Sequence, residues 1–141
     1  MIGLMLFFIL TTVALPSFSD YQHSLGLKIV VNNLLSDIRY VQGQSIITSV
    51  KHGIVFDLSN NSYSIIKNKE DPRVLERISL EEVKIKSSTL PDYYDLGSAV
   101  PALFYQELGN LDHRNGRVKL VLEGEVREIV FSSNGGEINL K

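Results

Sequence analysis

The sequence predicts an α+β fold in which a long N-terminal helix is followed by a β-rich head. Three observations carry this. The first nineteen residues hold no charged side chain, so all 14 basic and all 16 acidic residues of the 141-residue chain follow Ser19. From Leu27 to Val41 apolar side chains recur at steps of three and four, the period of a helix. After Gly53 the period falls to two, and turn signals punctuate the remainder.

The start, MIGLMLFFILTTVAL, is apolar except for Thr11 and Thr12, and Pro16 follows it. As a helix, fifteen residues reach roughly 22 Å, short of the ~30 Å hydrocarbon core of a bilayer. Thr12-Val13-Ala14 would serve as a signal-peptide cleavage context, but the basic beginning of such a peptide is absent. A buried core helix would show a wider polar stripe. The residues therefore leave three readings: a membrane anchor, a cleaved signal peptide or a core helix. Residues 1–16 are taken as an apolar helical segment and residues 17–141 as the head, whose amphipathic helix continues to about residue 50. Pro16 between them is expected to bend the helix without ending it.

In the second segment, Leu27, Val30, Leu34, Ile38, Val41 and Ser45 form one stripe, with Leu35 and Ile46 beside it. Val31, Asp37, Arg39, Gln42 and Gln44 fill the other faces. Leu27, Val30, Leu34, Ile38 and Val41 are thus expected to pack on a sheet supplied by the rest of the chain.

GIVFDLS and NSYSIIKN flank Asn60-Asn61, a two-residue turn signal, so Val55 and residues 62–66 are expected in a hairpin against the helix. VLERISL and EVKIKSS alternate, giving Val74, Ile78, Leu80, Val83 and Ile85 as core candidates. Pro91, Asp92, Gly97 and Pro101 mark residues 89–100 as loop. ALFYQ is a short strand, and NLDHRNG a loop turning at Asn115-Gly116. RVKLVL and EVREIVF form a hairpin about Glu123-Gly124, with a bulge expected where the alternation slips between Val126 and Ile129. Residues 137–140 make a last strand after Gly135-Gly136.

Site chemistry is sparse. With no cysteine, thiolate metal sites and thiol nucleophiles are excluded. His23, His52 and His113 lack metal-ligand spacing and read as exposed helix and loop residues. Asp112-His113 has no nucleophile elbow beside it. Glu81-Glu82, adjacent on an expected strand, point to opposite faces and cannot share a site. Tyr93, Tyr94, Phe104 and Tyr105 read as packing residues rather than a recognition surface. No enzyme, no cofactor and no metal are expected. A net charge of −2 and a pI of about 5.9 leave no electrostatic footprint for nucleic acid or anionic membrane.

The apolar helix ending in Ala-Leu-Pro-Ser-Phe, with its amphipathic continuation, resembles the N-terminal half of type IV pilins and pseudopilins. Pro16, Ser17 and Phe18 match the family's proline and its followers. LLSDIRYVQGQSIITSVKHGIVFDL resembles the H-type minor pseudopilins of type II secretion and related minor pilins, through Leu34, Asp37, Ile38, Arg39, Ser45, Ile46 and Gly53. REIVFSSNGGEINL resembles the family's last hairpin. The departure lies at the front: the basic leader with its glycine, and the glutamate near the mature start, are absent. The expectation is that the natural product begins upstream of Met1, where about six more apolar residues would complete a span of ~21. Peptidase cleavage and N-methylation then fall outside this chain.

The resemblance implies a pilin-like α+β fold and a structural subunit of a secretion pseudopilus or type IV pilus. It implies a single-pass start in the bacterial inner membrane, head outward on the periplasmic side, then transfer into a filament. The implied partners are other pilins or pseudopilins, the assembly machinery and, before assembly, the lipid bilayer. Ile2, Leu4, Leu6, Phe7, Phe8, Ile9, Leu10 and Val13 would make the helix–helix contacts, with Pro16 bending the helix at the membrane edge. Two alternatives stand beside this. One is a secreted periplasmic β-domain protein with a cleaved signal peptide. The other is a DNA-uptake minor pilin contacting DNA through Arg117, Lys119 and Arg127. Arg114, Arg117, Lys119 and Arg127 are diluted by Glu123, Glu125 and Glu128, and Glu137 stands where DNA-binding relatives tend to carry arginine, so nucleic acid is not an expected partner.

Overall fold

The computed structural model describes residues 2–95, 98–113, 115–132 and 138–140, without the side chains of residues 2–20, 23, 95 and 138–140. One helix, α1 (Ile2–Thr48), runs through Pro16 without interruption. It ends at Thr48, where Ser49 takes a left-handed conformation (φ 51°) that stops helical continuation.

Strands β1 (His52–Asp57), β2 (Ser62–Lys67), β3 (Arg73–Ser79), β4 (Lys84–Ser88), β5 (Asp92–Asp95), β6 (Ser98–Tyr105), β7 (Asn115–Leu122), β8 (Glu125–Ser132) and β9 (Ile138–Leu140) follow. They pair antiparallel in two sheets, one ordered β3-β2-β1-β6-β5 and the other β4-β7-β8-β9. The helix lies against β1, β6, β7 and β8, so its inner face closes one core shared by both sheets. This is the α+β arrangement that the periodicities predict.

The buried stripe of α1 is Leu27, Val31, Leu34, Ile38, Val41 and Ser45. Val30, expected on this stripe, is half-buried at its margin, and Val31, expected on a wet face, is fully packed. Both valines fit a step of three or four from Leu27 and Leu34, so only the position of the sheets decides between them. Ser45 is buried with work to do: its Oγ donates to Val41 O (3.1 Å) and accepts the His52 N–H (3.0 Å), tying the helix end to β1. His52 is buried too, its Nδ1–H donating to Val50 O (2.8 Å), and is not the exposed residue expected from sequence.

The β1–β2 connection spans four residues rather than the two of Asn60-Asn61. Asp57 accepts N–H bonds from Ser59 and Asn60, making a local turn. Asn61 then faces away, its side chain donating to Val83 O and accepting the Ile85 N–H, which pins the β3–β4 turn. That turn contains Glu81 and Glu82, which are therefore not on a strand.

Val74 is not a core residue; it is 52% exposed. The register of β2 with β3 shifts between Ile65↔Glu76 and Ile66↔Val74, making Leu75 the extra residue of a bulge. The bulge moves Val74 to the face opposite Ile78 and turns Leu75 and Glu76 together toward the helix side. Leu80, Val83 and Ile85 are buried and Ile78 packs beside them, as the alternation predicts. Val55 packs not on the helix but in a second apolar cluster on the far face of its sheet, with Ile66, Ala102, Phe104 and Tyr93.

Residues 92–95 and 98–100, expected as loop, are strand, paired from Asp92↔Pro101 to Asp95↔Ser98. Pro101 is tolerated in β6 because β1 pairs only from Ala102 onward, leaving no partner for the missing N–H. Asn115 and Gly116 begin β7 rather than turning a loop. The Glu123-Gly124 hairpin forms as predicted, both residues at positive φ (46° and 89°), as a two-residue primed turn requires. The β7–β8 register is regular from Asn115↔Ser132 to Leu122↔Glu125, so no bulge lies between Val126 and Ile129. Val126 simply faces outward. β9 supplies the predicted last strand; residues 135 and 136 lie outside the described residues.

Candidate functional site

The surface with most to explain is the back of α1. Opposite the core stripe, Tyr21 (62% exposed), Ile29 (57%), Tyr40 (52%) and Ile47 (76%) stand in solvent, with Leu25 beside them. At 3.6 residues per turn these positions fall on one side, roughly half a turn from Leu27 and Leu34. Ser36 and Gly43 share that side, and nothing lies near a Cβ built on Gly43. The second half of the helix therefore has an apolar face filled by its own sheets and, on the other side, a line of bare apolar side chains set among polar ones. An exposed apolar ridge of this kind marks an interaction surface. Sequence periodicity found the inner stripe but not the ridge, because two tyrosines and scattered aliphatics among Lys28, Asn32, Asn33 and Arg39 do not stand out from a polar face.

The contacts expected in the first segment, Ile2, Leu4, Leu6, Phe7, Phe8, Ile9, Leu10, Val13 and Pro16, have side chains outside the described residues, as has His23. Among the described residues no helical segment is long and apolar enough to cross a membrane.

The three basic candidates do not converge. Arg117 and Lys119 project from the outer face of β7, and both lie near Glu128 Oε1, at 3.5 and 3.8 Å. Arg127 lies on the other face of the sheet, beside Lys28, Val31 and Asn32 of the helix, and pairs with Glu125 at 3.1 Å. Arg114 and Glu137 lie outside the described residues.

The densest group of titratable side chains surrounds Asp112. Its carboxylate pairs with Lys69, accepts from Gln106 Nε2 (3.1 Å) and lies 4.0 Å from Lys51. Burial would raise its pKa, but the hydrogen bonds from Lys69 and Gln106 and the charge of Lys51 prevail and hold it below the ordinary carboxylate value. Burial lowers the neighbouring His113, with Lys69 adding to the effect against the opposing Asp112 charge. Asp112, His113 and Lys69, with Tyr93 and Phe104, line a cavity of about 150 Å³. Packing fixes the cavity wall: the Tyr93 and Phe104 rings meet at 5.1 Å, Lys69 Nζ sits 5.3 Å from the Phe104 centroid, and Tyr93 OH donates to Lys69 O. Asp112 is committed to its cations, and no serine, threonine or cysteine lines the cavity to act as a nucleophile. Of the four aromatic residues singled out in sequence, Tyr93 and Phe104 pack here, Tyr105 is in the main core, and Tyr94 is exposed. Among the described residues no cluster of histidine, aspartate and glutamate could hold a metal ion.

No protein-family model and no curated protein sequence matches the chain. Solved structures share its fold, two of them minor subunits of bacterial secretion and pilus systems. The minor pseudopilin EpsH from the type 2 secretion system of Vibrio cholerae is 13% identical, over 82% of this chain and 95% of that one, with a TM-score of 0.62. The type IV minor pilin FimU of Pseudomonas aeruginosa is 15% identical, over 86% of this chain and 92% of that one, with a TM-score of 0.63. The chain thus has the pilin-like fold, one N-terminal helix on antiparallel sheets.

Proposed function

We propose that a chain with this fold, and with apolar side chains left bare on the back of its helix, is a minor pilin-like structural subunit of a type II secretion pseudopilus or a type IV pilus, assembling through α1. The observation that carries the reading is the bare ridge of Tyr21, Leu25, Ile29, Tyr40 and Ile47 on a helix whose opposite face is already buried in its own head. The pilin-like likeness supports a structural rather than a catalytic role.

The mechanism is mechanical. The charge-free segment at residues 2–15 rests in the bacterial inner membrane as part of a single pass, with the head on the periplasmic side. On assembly, helices of neighbouring pilins or pseudopilins replace lipid around the segment. Its apolar surface then never meets water, and the cost of extraction, about 25 cal/mol per Å² exposed, is avoided. The ridge continues the same contact upward into the head.

Fractionation and crosslinking test this. The full-length protein is expected in the membrane fraction, and crosslinking is expected to co-purify other pilin-like subunits with it. Recovery as a soluble periplasmic protein cleaved near Ala14 would overturn it.

A further inference from the structure

The bare ridge of α1 runs between two edges of opposite charge. Lys28 and Arg39 share one edge, because a separation of eleven residues is about three whole turns. Both are exposed, and among the described residues neither has an ion-pair partner. Asp37 lies about 160° around the helix from Arg39, with Tyr40 of the ridge between them. Beside it opens a cavity of about 410 Å³, lined by Asp37, Tyr40, Ile65, Leu75 and Glu76. The β3 bulge supplies the far wall by turning Leu75 and Glu76 together toward the helix. Asp37 Oδ2 accepts the Tyr63 hydroxyl (2.6 Å), and among the described residues neither Asp37 nor Glu76 has an ion-pair partner. Arg77 does not neutralise them, since its Nε donates to Ser64 Oγ (3.3 Å) on the opposite face of the sheet.

We infer that the ridge seats the amphipathic helix of a different pilin-like subunit, which runs parallel to α1, sends one arginine or lysine into the Asp37–Glu76 cavity and turns carboxylates toward Lys28 and Arg39. Charge complementarity selects this occupant. An apolar ridge alone accepts any apolar strip, whereas charges on its edges fix partner and register more than they add affinity. The cavity suits a long cationic side chain, whose stem covers Tyr40 and the half-exposed Leu75 while its head meets two carboxylates. Nothing lies near a Cβ built on Gly43, so a second helix has room to approach there. Turning that helix end for end exchanges its two edges and sets like charge against like, so the same pattern rejects the reversed orientation. The inference rests on the filament reading, in which both helices start from one membrane, and adds the chemistry that chooses the neighbour.

The test uses the full-length chain in its natural host, with a photocrosslinking amino acid in place of Leu75 and the adduct mapped by mass spectrometry. The expected adduct joins a different pilin-like subunit, at a helix position within one turn of an arginine or lysine. Glu76→Lys should lower its yield by about threefold, the effect of one exposed ion pair, and Arg39→Glu on the other edge should lower it as well. Reversing the mapped cation to glutamate in the neighbour should restore the yield of Glu76→Lys. An unchanged yield in either variant overturns the inference, as does an adduct only with a second copy of this chain, an adduct only with a protein of another kind, or no adduct at position 75. The same probe in place of Ile29, on the ridge, separates this from the parent reading. Ridge adducts with a pilin-like subunit and none at position 75 sink only the charged seat. Silence at both positions, with the protein outside the membrane, sinks the filament reading as well. Unchanged circular dichroism of each variant excludes misfolding as the cause.

Discussion

The hydroxyl of Tyr63, on β2, donates a 2.6 Å hydrogen bond to Oδ2 of Asp37, on α1, joining helix to sheet across 26 residues of sequence. The tyrosine ring is buried against Phe56, with centroids 6.2 Å apart, so its hydroxyl has this one route to a partner. Tyr63→Phe is expected to destabilise the protein by about 1 kcal/mol, and Asp37→Ala by about 1–3 kcal/mol because it strands a buried hydroxyl. Chemical denaturation of the detergent-solubilised chain measures both. Equal stability of wild type and Asp37→Ala would refute the role assigned to the pair.

Alkaline pH reads the same residue. Burial, the Asp37 hydrogen bond and the charges of Asp37 and Glu76 raise the Tyr63 pKa well above its ordinary value of 10.0. Burial alone pushes Tyr105 up to about 12. Both groups are raised in the folded state, so their contribution is fully present below pH ~10 and is lost as pH climbs through the folded values. Stability should therefore fall above pH ~10. Ultraviolet titration should show two tyrosines ionising late, together with unfolding, and Tyr63→Phe should remove one of them.

At the acid end Asp112 is the group to watch. Its pKa is held below 3.8 in the folded state, so its contribution is present above that value and lost as pH falls through the lower, folded one. Asp112→Asn is expected to cost about 1 kcal/mol at neutral pH and to flatten the loss of stability below pH ~4. Parallel pH–stability curves for variant and wild type would contradict this.

Gly53 tolerates no side chain. A Cβ there would stand 2.4 Å from Phe104 Cδ1 and 2.6 Å from Leu103 O, and the second contact is backbone of the paired strand β6. Gly53→Ala is expected to cost about 1–3 kcal/mol, visible as a lower melting temperature, since β1 and β6 must separate to admit it.

The two faces of α1 should separate stability from assembly. Leu34→Ala, in the core, is expected to cost about 2–5 kcal/mol. Ile29→Ser, on the ridge, should stay within ~0.5 kcal/mol of wild type in denaturation, yet reduce co-purification of pilin-like subunits. Loss of assembly without loss of stability is the outcome the proposed function requires.

By itself the sequence determined the helix, its inner stripe at Leu27, Leu34, Ile38 and Val41, the strand-rich head and the Glu123-Gly124 hairpin. Each rests on interactions between near neighbours: a period of 3.6 or 2, or a turn whose backbone only a few residues adopt. Tertiary structure alone decided what depends on partners distant in the chain. The choice of Val31 over Val30 needed the position of two sheets. The strand character of residues 92–95 and 98–100 needed their mutual pairing, which outweighed the local signal of two prolines and a glycine. Val74 left the core because one extra residue, Leu75, reversed the alternation, and a bulge leaves no mark in composition. The same bulge brings Leu75 to a cavity it shares with Asp37, thirty-eight positions earlier in the chain, so that cavity arises where helix and edge strand meet.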